Sequence, residues 1–80
     1  MPGTFTVKTW AGEIKPVKKI SFYPEADANG NIFYKIEGQI GSSSFMVDYS
    51  YDREKAWDNY ILLLQQLTAF QVNNITELQA

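Results

Sequence analysis

Eighty residues bound one small domain, and 45% apolar with 15% aromatic content gives it enough large side chains for a single compact core. A net charge of −2 and an isoelectric point near 4.9 are far from the basic excess of a dedicated nucleic-acid binder. The absence of Cys and His removes disulfides, thiolate chemistry, the commonest transition-metal ligand and the best proton carrier near neutral pH, so neither catalysis nor a metal or cofactor is expected.

The chain divides into four strand-like runs and one helix. The first run spans about residues 4–10, β-branched and alternating, and Ala11-Gly12 turns the chain. The second covers about 16–23. Pro16 cannot donate a ladder hydrogen bond, so that run begins as an edge, a bulge or a loop. Pro24 ends it, and Asn29-Gly30 gives the strongest hairpin signal, because that pair supplies the positive φ angles of a tight primed turn.

The third run, 31–40, sets Ile32, Tyr34, Ile36 and Ile40 on one face and Phe33, Lys35, Glu37 and Gln39 on the other. After Gly41-Ser42-Ser43, the fourth run, 44–51, is expected to turn Phe45, Val47, Tyr49 and Tyr51 inward and Met46, Asp48 and Ser50 outward. Asp52 is a good N-cap for a helix over 53–72, with Glu54 in its first turn. At 100° per residue, Ala56, Trp57, Tyr60, Leu63, Leu64, Leu67 and Phe70 share a side, Ile61 lies at its margin, and Leu62 falls opposite among polar residues. Asn73-Asn74 reads as the helix stop, and Ile75 and Leu78 as a short apolar tail over 73–80 that folds back.

The fold expected is α+β, a four-stranded antiparallel meander followed by one long helix on one sheet face, ββββα. The uncovered face would then carry Thr6, Lys8, Trp10, Lys15, Lys19, Tyr23, Phe33, Lys35 and Met46, joined by Glu37 and Asp48. A one-residue slip in the first two strands would invert part of that set.

Chemical motifs are weak. Glu25 to Ile32 resembles a calcium loop, with oxygen-bearing residues at alternate positions and a Gly. Ile36 stands where the bidentate Glu belongs, and the flanks read as strands, so a plain hairpin turn is preferred. Gly38-Gln39-Ile40-Gly41 before three serines leads into a strand, with no Lys or helix N-terminus to make a phosphate cradle. Asn74-Ile75-Thr76 fits a glycosylation pattern, but no secretory leader is read at the N-terminus. Glu54 and Asp58 are i,i+4 neighbours on a solvated helix surface.

Charge is unevenly distributed. Lys8, Lys15, Lys18 and Lys19 precede a stretch in which Glu25, Asp27, Glu37, Asp48 and Asp52 oppose only Lys35. The first functional expectation is a non-catalytic protein-binding module of regulator or inhibitor type, of the kind a phage or mobile element directs at a host nucleic-acid-processing factor. Its contact residues are Trp10, Tyr23, Phe33 and Leu62, with Glu25 and Asp27 at the hairpin tip. A homodimer through the helix would bury Leu62.

The alternative is single-stranded nucleic-acid binding, with Lys8, Lys15, Lys19 and Lys35 following phosphates while Trp10, Tyr23 and Phe33 stack on bases. The ββββα order is similar to that of Pur-type and Whirly-type single-stranded-DNA-binding folds, a likeness in element order without a shared motif. With no membrane-length apolar run, the expected location is the cytoplasm.

Overall fold

The computed structural model describes residues 4–79, with side chains through Asn73. The class is α+β as expected, but five strands form two sheets. β1 (Thr6–Lys8) pairs antiparallel with β2 (Ile14–Pro16), while β3 (Lys19–Ala26), β4 (Ile32–Ile40) and β5 (Ser43–Ser50) form a three-stranded antiparallel sheet in that order. One helix, α1 (Arg53–Gln79), follows.

The second run of the sequence is thus two strands. Pro16 is the last residue of β2, and because the bonded pairs Thr9–Glu13 and Phe5–Val17 fall on odd positions its nitrogen points out of the ladder, where no donor is needed. Val17 still donates to the Phe5 carbonyl in the small sheet, and Lys18 already donates to Gln39 in the large one. The chain changes sheets between these two residues.

Both hairpin loops before β4 share one design. In Thr9–Glu13, Thr9 N donates to Glu13 O, Gly12 N donates to Thr9 O, and the Thr9 hydroxyl accepts from Glu13 N. In Asp27–Asn31, Asp27 N donates to Asn31 O, Gly30 N donates to Asp27 O, and Asp27 Oδ1 accepts from Asn31 N. Gly12 and Gly30 sit at φ 85° and 82°, where a Cβ is strained. Asn29 keeps a negative φ, so the loop is a three-residue turn with glycine at the left-handed position, and the primed two-residue turn expected of Asn-Gly does not form.

Pro24 does not end its strand as expected but lies within β3, one of the two edge strands of the sheet. Asp27 N points at β4, and N–H direction alternates along an antiparallel strand, so the Pro24 nitrogen faces outward where no donor is needed. The missing donor also blunts that edge against further pairing.

The core lies between the sheet and α1, with the first hairpin closing one side: Val7, Val17, Ile20, Ile36, Val47 and Leu67 are buried, and Ile36 has no exposed surface. Phe22 joins sheet to helix through rings, stacked on Tyr34 at 6.0 Å and edge-on to Trp57 at 5.2 Å. Phe5 reaches Phe70 at 5.6 Å farther along the helix. Trp57 packs by one side only and remains 45% exposed, less buried than its place in the apolar stripe implies.

The N-cap forms as expected, with Asp52 Oδ1 accepting from Glu54 N at 3.0 Å and Lys55 N at 3.3 Å. The expected stop at Asn73-Asn74 does not occur, and residues 73–79 continue the helix. Asn costs only a few tenths of a kcal/mol more than an average residue inside a helix, and no Gly or Pro follows to end it. The fold-back of Ile75 and Leu78 concerns side chains outside the described ones. At 27 residues α1 is about 40 Å long, which accounts for a longest dimension of 52 Å against 23 and 20 Å.

The largest departure lies in β5. Ile36 pairs with Asp48 but Glu37 pairs with Met46, so Val47 is the extra residue of a β-bulge. Before the bulge, Phe45 faces Gly38 on the helix side as expected. Beyond it the alternation inverts: Asp48 and Ser50 turn toward the helix, while Tyr49 and Tyr51 join the uncovered face. Asn59 of α1 donates to Asp48 Oδ2 at 3.3 Å, which confirms the inversion.

Candidate recognition face

The uncovered face of the large sheet has two halves. β4 supplies Phe33, Lys35, Glu37 and Gln39, β3 supplies Lys19, Ser21, Tyr23 and Glu25, and β5 supplies Met46 and Tyr49, with Tyr51 just past its end against Phe33. Trp10, in the loop of the first hairpin, reaches round the β5 side to meet Tyr49 edge-on at 6.2 Å.

The aromatic half consists of Trp10, Phe33, Tyr49 and Tyr51 with Met46, around a concavity of about 240 Å³. Its rings meet at steep angles. Phe33 lies 5.8 Å from Tyr49 at 75° and 5.7 Å from Tyr51 at 56°, and Tyr49 lies 6.4 Å from Tyr51 at 81°. These edge-to-face contacts hold the rings to one another and leave faces open to solvent. Trp10, Tyr51 and Tyr49 are 59%, 54% and 42% exposed.

Trp10 also borders a groove of about 370 Å³ between the first hairpin and the helix, shared with Lys8, Thr9, Asp48, Asn59, Leu62 and Leu63. Leu62, 55% exposed, is therefore no isolated surface leucine: the groove is polar at Lys8, Thr9, Asp48 and Asn59, but its apolar residues Leu62 and Leu63 meet the aromatic half at Trp10, giving an apolar band around the outside of β5.

The polar half is tightly paired. The Tyr23 hydroxyl donates to Glu37 Oε2 at 2.7 Å, and Gln39 Nε2 donates to Glu37 Oε1 at 3.1 Å. Both bonds favour the carboxylate, with Tyr23 contributing most, so the Glu37 pKa is lowered. The same bond to Glu37 chiefly raises the Tyr23 hydroxyl. Lys35 lies 3.7 Å from both Glu25 and Glu37 and 5.6 Å over the Tyr23 ring. Burial works against its ammonium, yet Tyr23, Glu25 and Glu37 outweigh that and leave its pKa raised.

Asp27 is committed to the fold. Oδ1 accepts from Asn29 N and Asn31 N, both at 2.9 Å, and Oδ2 accepts from the Tyr51 hydroxyl at 2.8 Å. Tyr51 is the main cause of its lowered pKa, and in return the Tyr51 hydroxyl is raised. The Asp27 oxygens, central to the calcium-like pattern of the loop, thus build the turn and orient a ring.

Of the residues singled out for partner contact, Trp10, Phe33 and Leu62 fall on the apolar band, Tyr23 and Glu25 fall in the polar half, and Asp27 links the hairpin tip to Tyr51. The lysines do not gather. Lys15 pairs with Glu13 at 3.6 Å and lies 5.3 Å over the Phe45 ring. Lys8 sits at the groove, and Lys19 lies opposite Gln39 at the far end of the sheet. Thr6, Lys8 and Lys15 belong to the small sheet, not to the uncovered face of the large one, and Asp48 leaves that face for the helix side. Tyr49 and Tyr51 were hidden from sequence reading because β5 alternates without a Gly or Pro to mark its bulge; their hydroxyls were the one faint sign of a wet environment.

Comparison with protein families, with curated proteins and with solved structures finds no match for this chain. No helix among the described residues is long and apolar enough to cross a membrane.

Proposed function

We propose that this chain is a small non-catalytic protein-binding module, of the regulator or inhibitor kind, that holds its partner on the apolar band formed by Trp10, Phe33, Tyr49, Tyr51 and Leu62. The observation that carries this reading is the cluster of rings on the uncovered face, edge-packed on one another with faces bare. Aromatic side chains held rigid by their neighbours lose little entropy on binding and dominate interface energetics. Phosphate binding along the same face has less support, because Lys8 and Lys15 lie off it on the small sheet and Lys35 already has carboxylate partners.

The test is capture by the immobilised full chain, compared with a Trp10→Ala/Tyr49→Ala variant and with Leu62→Asp, alongside titration with single-stranded DNA and RNA at low and physiological salt. A protein retained by the wild type and lost from the ring variant supports the reading. Equal retention by all three chains overturns it. Oligonucleotide binding that collapses with salt would replace it with the nucleic-acid alternative.

A further inference from the structure

We infer that the aromatic half of the uncovered face is a cation-receiving site, and that the segment it takes from a protein partner is basic, with an arginine side chain laid on the rings of Tyr49, Phe33 and Trp10. This deepens the protein-binding reading above and rests on it. Two independent features converge. The first is geometric: Trp10, Phe33, Tyr49 and Tyr51 meet at steep angles around a shared concavity, so a group seated there meets the electron-rich face of one ring and lies beside others.

The second is charge. Glu25, Asp27 and Glu37 border this half of the sheet; Lys35, the cross-strand partner of Tyr49, is the ammonium among them, and Lys8 lies beyond Trp10 in the groove that also holds Asp48. Lys35 is held by Glu25 and Glu37, which leaves the face with a surplus of negative charge. Lys19 lies six residues from Glu25 along β3, roughly 20 Å away. The Tyr51 hydroxyl donates to the Asp27 carboxylate, which makes that ring more electron-rich. An acidic rim around bare aromatic faces repels phosphate and attracts cations. Among cations, guanidinium suits it best, being planar, weakly hydrated and able to stack on a ring while donating to a neighbouring carboxylate.

The two tryptophans make the test internally controlled, because Trp10 belongs to this face and Trp57 packs on Phe22 on the helix side. The full chain is titrated with a blocked tri-arginine peptide and with its citrulline counterpart, which has nearly the same shape without the charge, while both indole N–H signals are followed by NMR. The expected result is a saturable shift of the Trp10 signal with Trp57 unmoved, and binding weaker by about tenfold or more for the citrulline peptide. Tyr49→Leu, its fold checked by an unchanged Trp57 signal, should weaken arginine binding by about fivefold or more; if it fails to fold, Phe33→Leu is read in the same way.

Equal affinity for the two peptides, or no saturable Trp10 shift, overturns the cationic class. If the ring variant has nevertheless lost its captured protein, only this inference fails and the protein-binding reading stands. Arginine-peptide binding that both ring variants retain overturns this use of the face.

Discussion

Val17 and Lys18, adjacent in the chain, donate their backbone N–H groups to different sheets, Val17 to Phe5 and Lys18 to Gln39, each at 2.9 Å. The two bonds fix the first hairpin against the larger sheet without a linker. They also place Val17 among the most buried side chains of the protein, against Gly38 of β4.

Gly38 is consequently a position where even one methyl group is too much. A Cβ there would lie 2.9 Å from the Phe45 ring and 3.1 Å from Val17 Cγ2. Gly38→Ala should cost about 1–3 kcal/mol in urea unfolding, against a total of roughly 4–12 kcal/mol for a chain of this length. Full stability in the variant would mean that the Phe45 ring moves freely, contrary to the packing described.

Asp52 closes the N-terminus of α1 with two side-chain acceptor contacts. Asp52→Ala should lower stability by about 1 kcal/mol, and Asp52→Asn by less, because asparagine caps nearly as well. Thermal melts of the two variants provide the check; equal losses would point to charge rather than capping.

The polar half of the face gives stability a defined pH window. Glu37 has a folded pKa below its ordinary value, so its contribution is complete above the unfolded value and is lost as pH falls through the folded one. Tyr23 and Lys35 are raised, so their contributions are complete below their unfolded values and are lost as pH rises through the folded ones. Tyr23→Phe removes the main support of the Glu37 carboxylate and should move its titration, followed by carboxyl-carbon NMR, back up toward the ordinary range. A titration unmoved by the substitution would show that the 2.7 Å bond does not form in solution.

Folding and binding should be separable by mutation. Leu67 is buried in the core, and Leu67→Ala should cost about 2–5 kcal/mol. Trp10→Ala and Leu62→Asp remove exposed side chains and should change stability by no more than about 1 kcal/mol while abolishing partner capture. Unfolding by Trp10→Ala would instead make that ring part of the fold.

The helix, its cap, the β4 alternation and the α+β class were all legible in the sequence, because each rests on a local period or a single capping residue. Features that depend on distant residues or on weak local signals were not. Pro16 announced a break without saying that the chain would change sheets there, since that depends on Phe5 and Gln39, distant in sequence on either side. Asn73 looked like a stop, but it is only a mildly poor helix former. The β5 bulge left no mark, so Phe45, Val47, Tyr49 and Tyr51 read as one stripe when only the first two belong to the core side. For the candidate face, Trp10 and Phe33 could be named in advance, whereas their neighbours Tyr49 and Tyr51 depended on that bulge.

The extra residue at Val47 divides the labour within one strand. N-terminal to it, Phe45 answers to packing, so its replacement is judged by whether the domain folds. C-terminal to it, Tyr49 and Tyr51 lie on the exposed face, so their replacement is judged by the surface and not by the interior. A single inserted residue thus lets one short strand serve the interior at one end and the surface at the other.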